Sequence, residues 1–258
     1  MRKSAVVLPL VALIAGAGGF LLRRNEINTV FDAATGLARH GSDVTLLLIV
    51  LSAVFLLAAL VFSLIASSRY TSSSEFENAF GTDTIAYPLL FSLLGIAWLG
   101  ASVKYFIDAC ADGIFPVIDL CFSVLSALSA ISVMFFAVEV FQNPQCKSKF
   151  PLSVVPSLFL CFWLILLYRN NASNPVLLSY CYQCLAIITS ALGFYFTSGF
   201  VFGKSAPGKT AFFCLAAVFF CFVTLADNIS VGTKIIFAAI IGLNLIHASM
   251  LIRRLNRA

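Results

Sequence analysis

Eight apolar runs, each long enough to cross a bilayer, follow one another along this chain: Val6 to Leu22, Val44 to Ala66, Ile85 to Ile107, Phe115 to Phe141, Phe150 to Tyr168, Val176 to Gly199, Thr210 to Ala226 and Val231 to Ile252. A spanning helix needs about 20 predominantly apolar residues, and runs of this length therefore read as transmembrane helices. A water-soluble fold with 61% hydrophobic and 10% charged residues could not hide its apolar surface and still present a hydrated face. The longest polar stretches, Arg23 to Asp43 and Ser67 to Thr84, are too short to bury a core and read as loops or interfacial segments. The expected architecture is all-α, a single integral membrane domain over residues 1–258 with about eight spanning helices. A different crossing of Thr210 to Ile252 would reduce the count to seven and separate the termini.

The first run reads as a retained span. It follows Arg2 and Lys3 but meets Arg23 and Arg24 without a small-x-small cleavage pattern, and its length suits a spanning helix. Ser42, Asp43 and Asp83 are suited to cap helices, and Pro116 and Pro175 stand where a missing N–H costs little. Lys and Arg counts in short loops set orientation. Arg2, Lys3, Arg69, Lys147, Lys149, Lys204, Lys209, Arg253, Arg254 and Arg257 fall on the side of the termini, which is therefore expected to be cytoplasmic. Arg23, Arg24, Arg39 and Arg169 fall on the other side, with Lys104 and Lys234 near its helix ends, and Arg23 and Arg24 run against the bias. The net charge of +5 fits cytoplasmic loops facing anionic lipid and does not suggest nucleic acid.

Two connections carry further pattern. Ile27, Val30, Phe31 and Ala34 recur at helical spacing, which predicts a short amphipathic helix lying at the outer interface. Ser67 to Thr84, with Ser72, Ser73 and Ser74 in a row, reads as a flexible cytoplasmic loop. No internal repeat relates the first four helices to the last four, against a repeat-built transporter.

The segment from Leu22 through the basic pair Arg23 and Arg24 to Phe31, Asp32, Thr35, Gly36 and Leu37, followed by Gly41 and the second span, resembles the start of uncharacterised multispanning proteins of Gram-positive, Clostridia-type bacteria. The resemblance covers about the first fifth of the chain. It implies a bacterial cytoplasmic membrane and no particular activity.

Charges inside a bilayer are costly, and the depth of each ionisable group therefore bears on mechanism. Lys104 and Asp108, four apart near the outer end of helix three, can pair on one face. With Asp112, Asp119, Asp227 and Lys234 they form an outer polar rim, read as snorkelling side chains and caps or as a binding site. Asp119 stands out because its short side chain reaches water less easily than Lys104. Glu139 lies near the inner end of helix four, and His247 about 8 Å from the inner end of helix eight, read as an interhelical hydrogen-bonding group or a headgroup contact. No charged residue falls near a predicted midplane, which argues against an ion relay.

Polar groups at mid-depth are smaller. Ser123, Ser126, Ser129 and Ser132 form a stripe that slants round helix four, read as close packing in the middle of a bundle rather than a solute path. Ala12, Ala15, Gly16 and Gly19, and Ala97 with Ala101, permit close helix approach in the same way. Gln183 and Asn244 need partners in lipid and could line a cavity. Five cysteines, Cys121, Cys161, Cys184, Cys214 and Cys221, lie within apolar runs and behave as small hydrophobes. Cys110 and Cys146 fall on opposite faces and are not paired. Cys181 and Cys184 have the spacing of a redox pair without a second pair to exchange with. Phe212, Phe213, Phe219, Phe220 and Phe222 make helix seven aromatic, as lipid contact or the wall of an apolar pocket.

No HExxH, intramembrane-protease pair of Glu and Arg, Gly-rich phosphate loop or Mg²⁺-holding acidic cluster occurs. No motif therefore assigns an enzymatic activity, no cofactor or metal is expected, and the expected partners are membrane lipid and a small lipophilic or neutral ligand. The leading expectation is a bundle with helix four central that binds or passes a small neutral or lipophilic ligand through a cavity among helices three, four, six and eight. Asp119, Gln183 and Asn244 would line it, with Lys104 and Asp108 at its rim. A second expectation is a sensor or assembly partner acting through the Arg24 to Ala34 segment or the Ser-rich loop. A third is a thiol oxidoreductase using Cys181 and Cys184.

Overall fold

The apolar runs become helices because hydrocarbon offers the backbone no hydrogen-bonding partner outside its own segment. In the computed structural model, residues 4–32, 37, 41–71, 80, 85–111, 117–142, 151–172, 174, 176–204, 206–254 and 256–257 are described. They form an all-α bundle of α1 (Ser4–Thr29), α2 (Asp43–Arg69), α3 (Ala86–Cys110), α4 (Val117–Gln142), α5 (Val155–Asn170), α6 (Cys181–Val201), α7 (Pro207–Thr224) and α8 (Val231–Arg254). There are 8 candidate membrane spans among the described residues, and the fold is that of a polytopic membrane protein. Short 3₁₀ turns at Pro151–Val154 and Leu177–Ser179 lead into α5 and α6. Pro207 opens α7, where its missing N–H would have had no helical partner. At the end of the bundle that carries both termini, strand β1 (Tyr70–Thr71) pairs antiparallel with β2 (Asn256–Arg257).

The centre is not where the serine stripe suggested. The most apolar window of α4 is 50% buried, against 72% for α7 and for α8. α7 packs against α6, α8, α1 and α2, whereas α4 packs mainly against α3 and α5. Small side chains make α7 the axis: Ala211, Cys214, Ala216, Ala217 and Cys221 are all fully buried, and its Phe219 and Phe220 are core residues. Phe219 stacks on Phe55 of α2, with ring centroids 4.7 Å apart. α1 lies close to α7 because Gly16 and Gly19 face it; a Cβ on Gly19 would come within 2.7 Å of Val223.

The stripe on α4 is a packing device, as its residue type predicts. Trp98 Nε1 donates to Ser126 Oγ at 2.9 Å, Ser126 donates to Ser102 Oγ at 2.7 Å, and Ser102 donates to the Trp98 carbonyl at 3.0 Å. That closed circuit ties α3 to α4 with no donor left over. Nearly two turns further on, Ser132 donates to the Leu152 carbonyl in the turn before α5. The stripe thus serves two different neighbours as it winds.

The first helix is longer than its apolar run, continuing unbroken to Thr29. Residues 24–29 therefore extend α1 and do not form a separate interfacial helix. Val30 is buried and Ile27 half-buried, so the apolar face of this segment turns into the bundle. Ala34, Ser72 to Ser74, Asp83, Asp112, Pro116, Cys146 and Pro175 lie outside the described residues.

The α1–α7 contact predicts a paired result. Gly19→Leu should destabilise the purified protein by about 1–3 kcal/mol through overpacking, read as a lower midpoint of thermal unfolding in detergent. Gly18→Leu, where an added Cβ meets nothing within 4 Å, should leave the midpoint unchanged.

Candidate functional site

Two polar sites interrupt the apolar interior, one at each end. At the end away from the termini, the extension of α1 carries Arg23 and Glu26 inward on adjacent turns of one face. Arg23 is 1% exposed. Its Nη1 donates to Glu26 Oε2 at 2.7 Å, its Nε to Asp227 Oδ1 at 2.8 Å, and its Nη2 to the Ser179 carbonyl at 3.0 Å. The guanidinium also lies over the rings of Tyr182 and Phe31, 5.1 and 5.7 Å from their centroids. Gln183 Nε2 completes the group by donating to Asp227 Oδ2 at 3.2 Å. Asp227 sits in the turn between α7 and α8, and burial pushes its carboxyl above the ordinary carboxylate range, against the opposing pull of Arg23 and Gln183.

At the opposite end a cavity lies among α3, α4, α6, α8 and the turn into α5. Its lining includes Phe91, Ser132, Ser153, Phe194, Thr197 and His247. About 20 Å³ is open to the centre of a water molecule, enough for a single water and too little for a larger guest without movement of the walls. His247, 3% exposed on α8, stands among the rings of Phe91, Phe136, Phe194 and Phe80, with centroids 5.2 to 5.9 Å away. Three hydroxyls of the lining are occupied: Ser132 bonds the Leu152 carbonyl, Thr197 the Gly193 carbonyl and Ser198 the Tyr195 carbonyl. Two buried polar atoms in the same lining have no partner, His247 Nδ1 and Ser153 Oγ. Both can donate or accept, and leaving them unbonded costs about 1–3 kcal/mol each.

The residues singled out by sequence are dispersed. Lys104 and Asp108 pair at 2.7 Å on the exposed outside of α3. Asp119 is half-buried nearby and accepts from the Tyr105 hydroxyl at 2.8 Å. Gln183 belongs to the Arg23 group. Asn244 is fully buried on α8, donating to the Ile240 carbonyl at 3.0 Å, and its Oδ1 fills the space above Gly193 where a Cβ would stand at 2.8 Å. None of the five lines the cavity, although the cavity does lie among helices three, four, six and eight. Cys181 and Cys184 are half-buried free thiols. Among the described residues no cluster of His, Cys, Asp and Glu could hold a metal ion.

Sequence reasoning missed Arg23, Glu26, Ser153 and the cavity role of His247. The signal for Arg23 was its violation of the charge bias, which a buried partner explains. Ser153 lies in a turn and carried no pattern.

Burial separates the two ion pairs in consequence. Arg23→Gln, which leaves two buried carboxylates without their cation, should cost about 3–5 kcal/mol. Asp108→Asn, at an exposed pair, should change stability by about 1 kcal/mol or less. Unfolding of the purified variants in mixed detergent micelles measures both. No family model, curated protein or solved structure matches this chain.

Proposed function

We propose that the chain is a multi-pass protein of a bacterial cytoplasmic membrane, with both termini in the cytoplasm, that binds or passes a small neutral ligand at the His247 cavity. The observation that carries this reading is the convergence of two unpartnered hydrogen-bonding atoms, His247 Nδ1 and Ser153 Oγ, on one aromatic-walled space. Buried polar groups are normally satisfied, and a pair left open in the same cavity favours a guest that bonds them. Among the described residues no charged side chain lines the cavity, which favours a neutral guest over an ion. Its apolar walls match a molecule with a hydrocarbon body and one hydroxyl or carbonyl, which enters only as the phenylalanine rings move apart, since the closed cavity has room for one water.

The proposed orientation is supported by the Arg23 group. Once Arg23 is paired with carboxylates inside the bundle, it no longer counts against the excess of Lys and Arg on the side of the termini. The sensor reading loses one of its surfaces, because the apolar face of the Arg24 to Ala34 segment is turned inward at Val30.

Removing one of the open hydroxyls tests the proposal. Native mass spectrometry of the wild-type protein released from detergent should find a neutral molecule retained, and Ser153→Ala, which removes an unpartnered atom from the lining without adding volume, should lose it while folding normally. A wild-type protein that retains nothing, or equal retention by both forms, contradicts the reading.

A further inference from the structure

The Arg23 group holds more negative than positive charge. With all side chains ionised, Arg23 supplies one positive charge and Glu26 and Asp227 two negative ones, so the sum is −1. The three residues are 1%, 0% and 3% exposed. An uncompensated charge at such burial is strongly disfavoured. A second, independent sign that the group is incomplete is Glu26 Oε1, buried without a hydrogen-bond partner. Among the described residues, the surroundings do not supply a cation. α6 presents Cys181, Tyr182 and Gln183, none of them cationic, and Asp43 in the first turn of α2 stands at the same end with a further negative charge. Lys234, half-buried near the start of α8, forms no ion pair among the described residues.

We propose that this group is a proton-binding site, in which the Asp227 carboxylate takes up one proton from the aqueous phase and the Gln183 amide turns to accept it. The step forms one O–H bond and changes no other covalent bond: carboxylate plus proton gives carboxylic acid. Asp227 suits the role because Arg23 and Glu26 then remain as a neutral, directly bonded pair. It also lies in a turn beside exposed Asn228 and Ser230 and is 3% exposed, where Glu26 is 0%. Gln183 serves both states. Its Nε2 donates to the carboxylate as observed, and after a half-turn of the amide its oxygen accepts the O–H of the acid.

The direction of the effect follows from linkage. Burial already holds the Asp227 carboxyl above its ordinary range. The stability gained on protonation is therefore present at low pH and is lost as pH rises through the raised value. The site joins α1, α6 and the α7–α8 turn, so proton release loosens this end of the bundle. None of this depends on the His247 reading.

Infrared difference spectroscopy of the full chain in lipid, titrated from about pH 8 to pH 3, tests the site. The wild-type minus Asp227→Asn difference should show one carboxylic-acid C=O band with a midpoint above about 4.3, the value for free Glu, which separates it from the other carboxyls. Asp227→Asn, which mimics the neutral acid, should fold, and Gln183→Leu should shift the frequency of the difference band. The proposal is overturned if the two proteins titrate identically, if the difference band has its midpoint in the ordinary carboxylate range, or if Asp227→Asn fails to fold at neutral pH.

Discussion

A single guanidinium fastens one end of this bundle. Arg23 reaches from the last turns of α1 to Asp227, 204 residues away, and to Ser179 ahead of α6. Lipid supplies no hydrophobic force between helices, since the tails are as apolar as leucine. Packing, hydrogen bonds and such charge pairs must therefore hold the elements in place. α1 otherwise rests on α7, α2 and α8 through apolar packing of residues such as Ala12, Gly16 and Gly19, and the Arg23 network fixes its depth and rotation as well as its contact.

The remaining polar groups follow the same economy. Most are spent within the fold: the circuit of Trp98, Ser126 and Ser102 between α3 and α4, the Ser63 hydroxyl on the Gly208 carbonyl between α2 and α7, and the Ser157 hydroxyl on the Ala191 carbonyl between α5 and α6. Against that background the unspent groups are informative. Of the buried polar atoms without a partner, Thr45 Oγ1, Ser123 Oγ and Asn244 Oδ1 stand apart from both sites, whereas Ser153 and His247 share one cavity and Glu26 belongs to the overcharged cluster, so the two ends of the bundle carry different chemistry. One offers neutral hydrogen bonding inside aromatic walls, the other an excess of buried negative charge.

How much of this could be read in advance depended on how local the interaction was. The spans, the Lys104–Asp108 pair four residues apart and the use of the α4 serines in packing are all encoded within a few turns of one helix. The identity of the central helix is not. Both lipid and core are apolar, so α2, with Leu46, Leu57 and Leu64 facing outward, and α7, buried almost throughout, look alike as sequences. Pairing across the chain is equally silent: nothing near Arg23 announces Asp227, and only its place on the side poor in Lys and Arg set it apart. His247 was noticed as an exception within an apolar run, but its aromatic surroundings come from α3, α4 and α6, which no local pattern joins.

The central functional claim is that the space beside His247 is a ligand site. It is tested most directly by a structure of the protein in lipid nanodiscs at side-chain resolution. The account predicts density for a small guest within hydrogen-bonding distance of both His247 and Ser153. A space closed by the surrounding phenylalanine rings, with His247 and Ser153 bonded to each other or to backbone carbonyls, would contradict it.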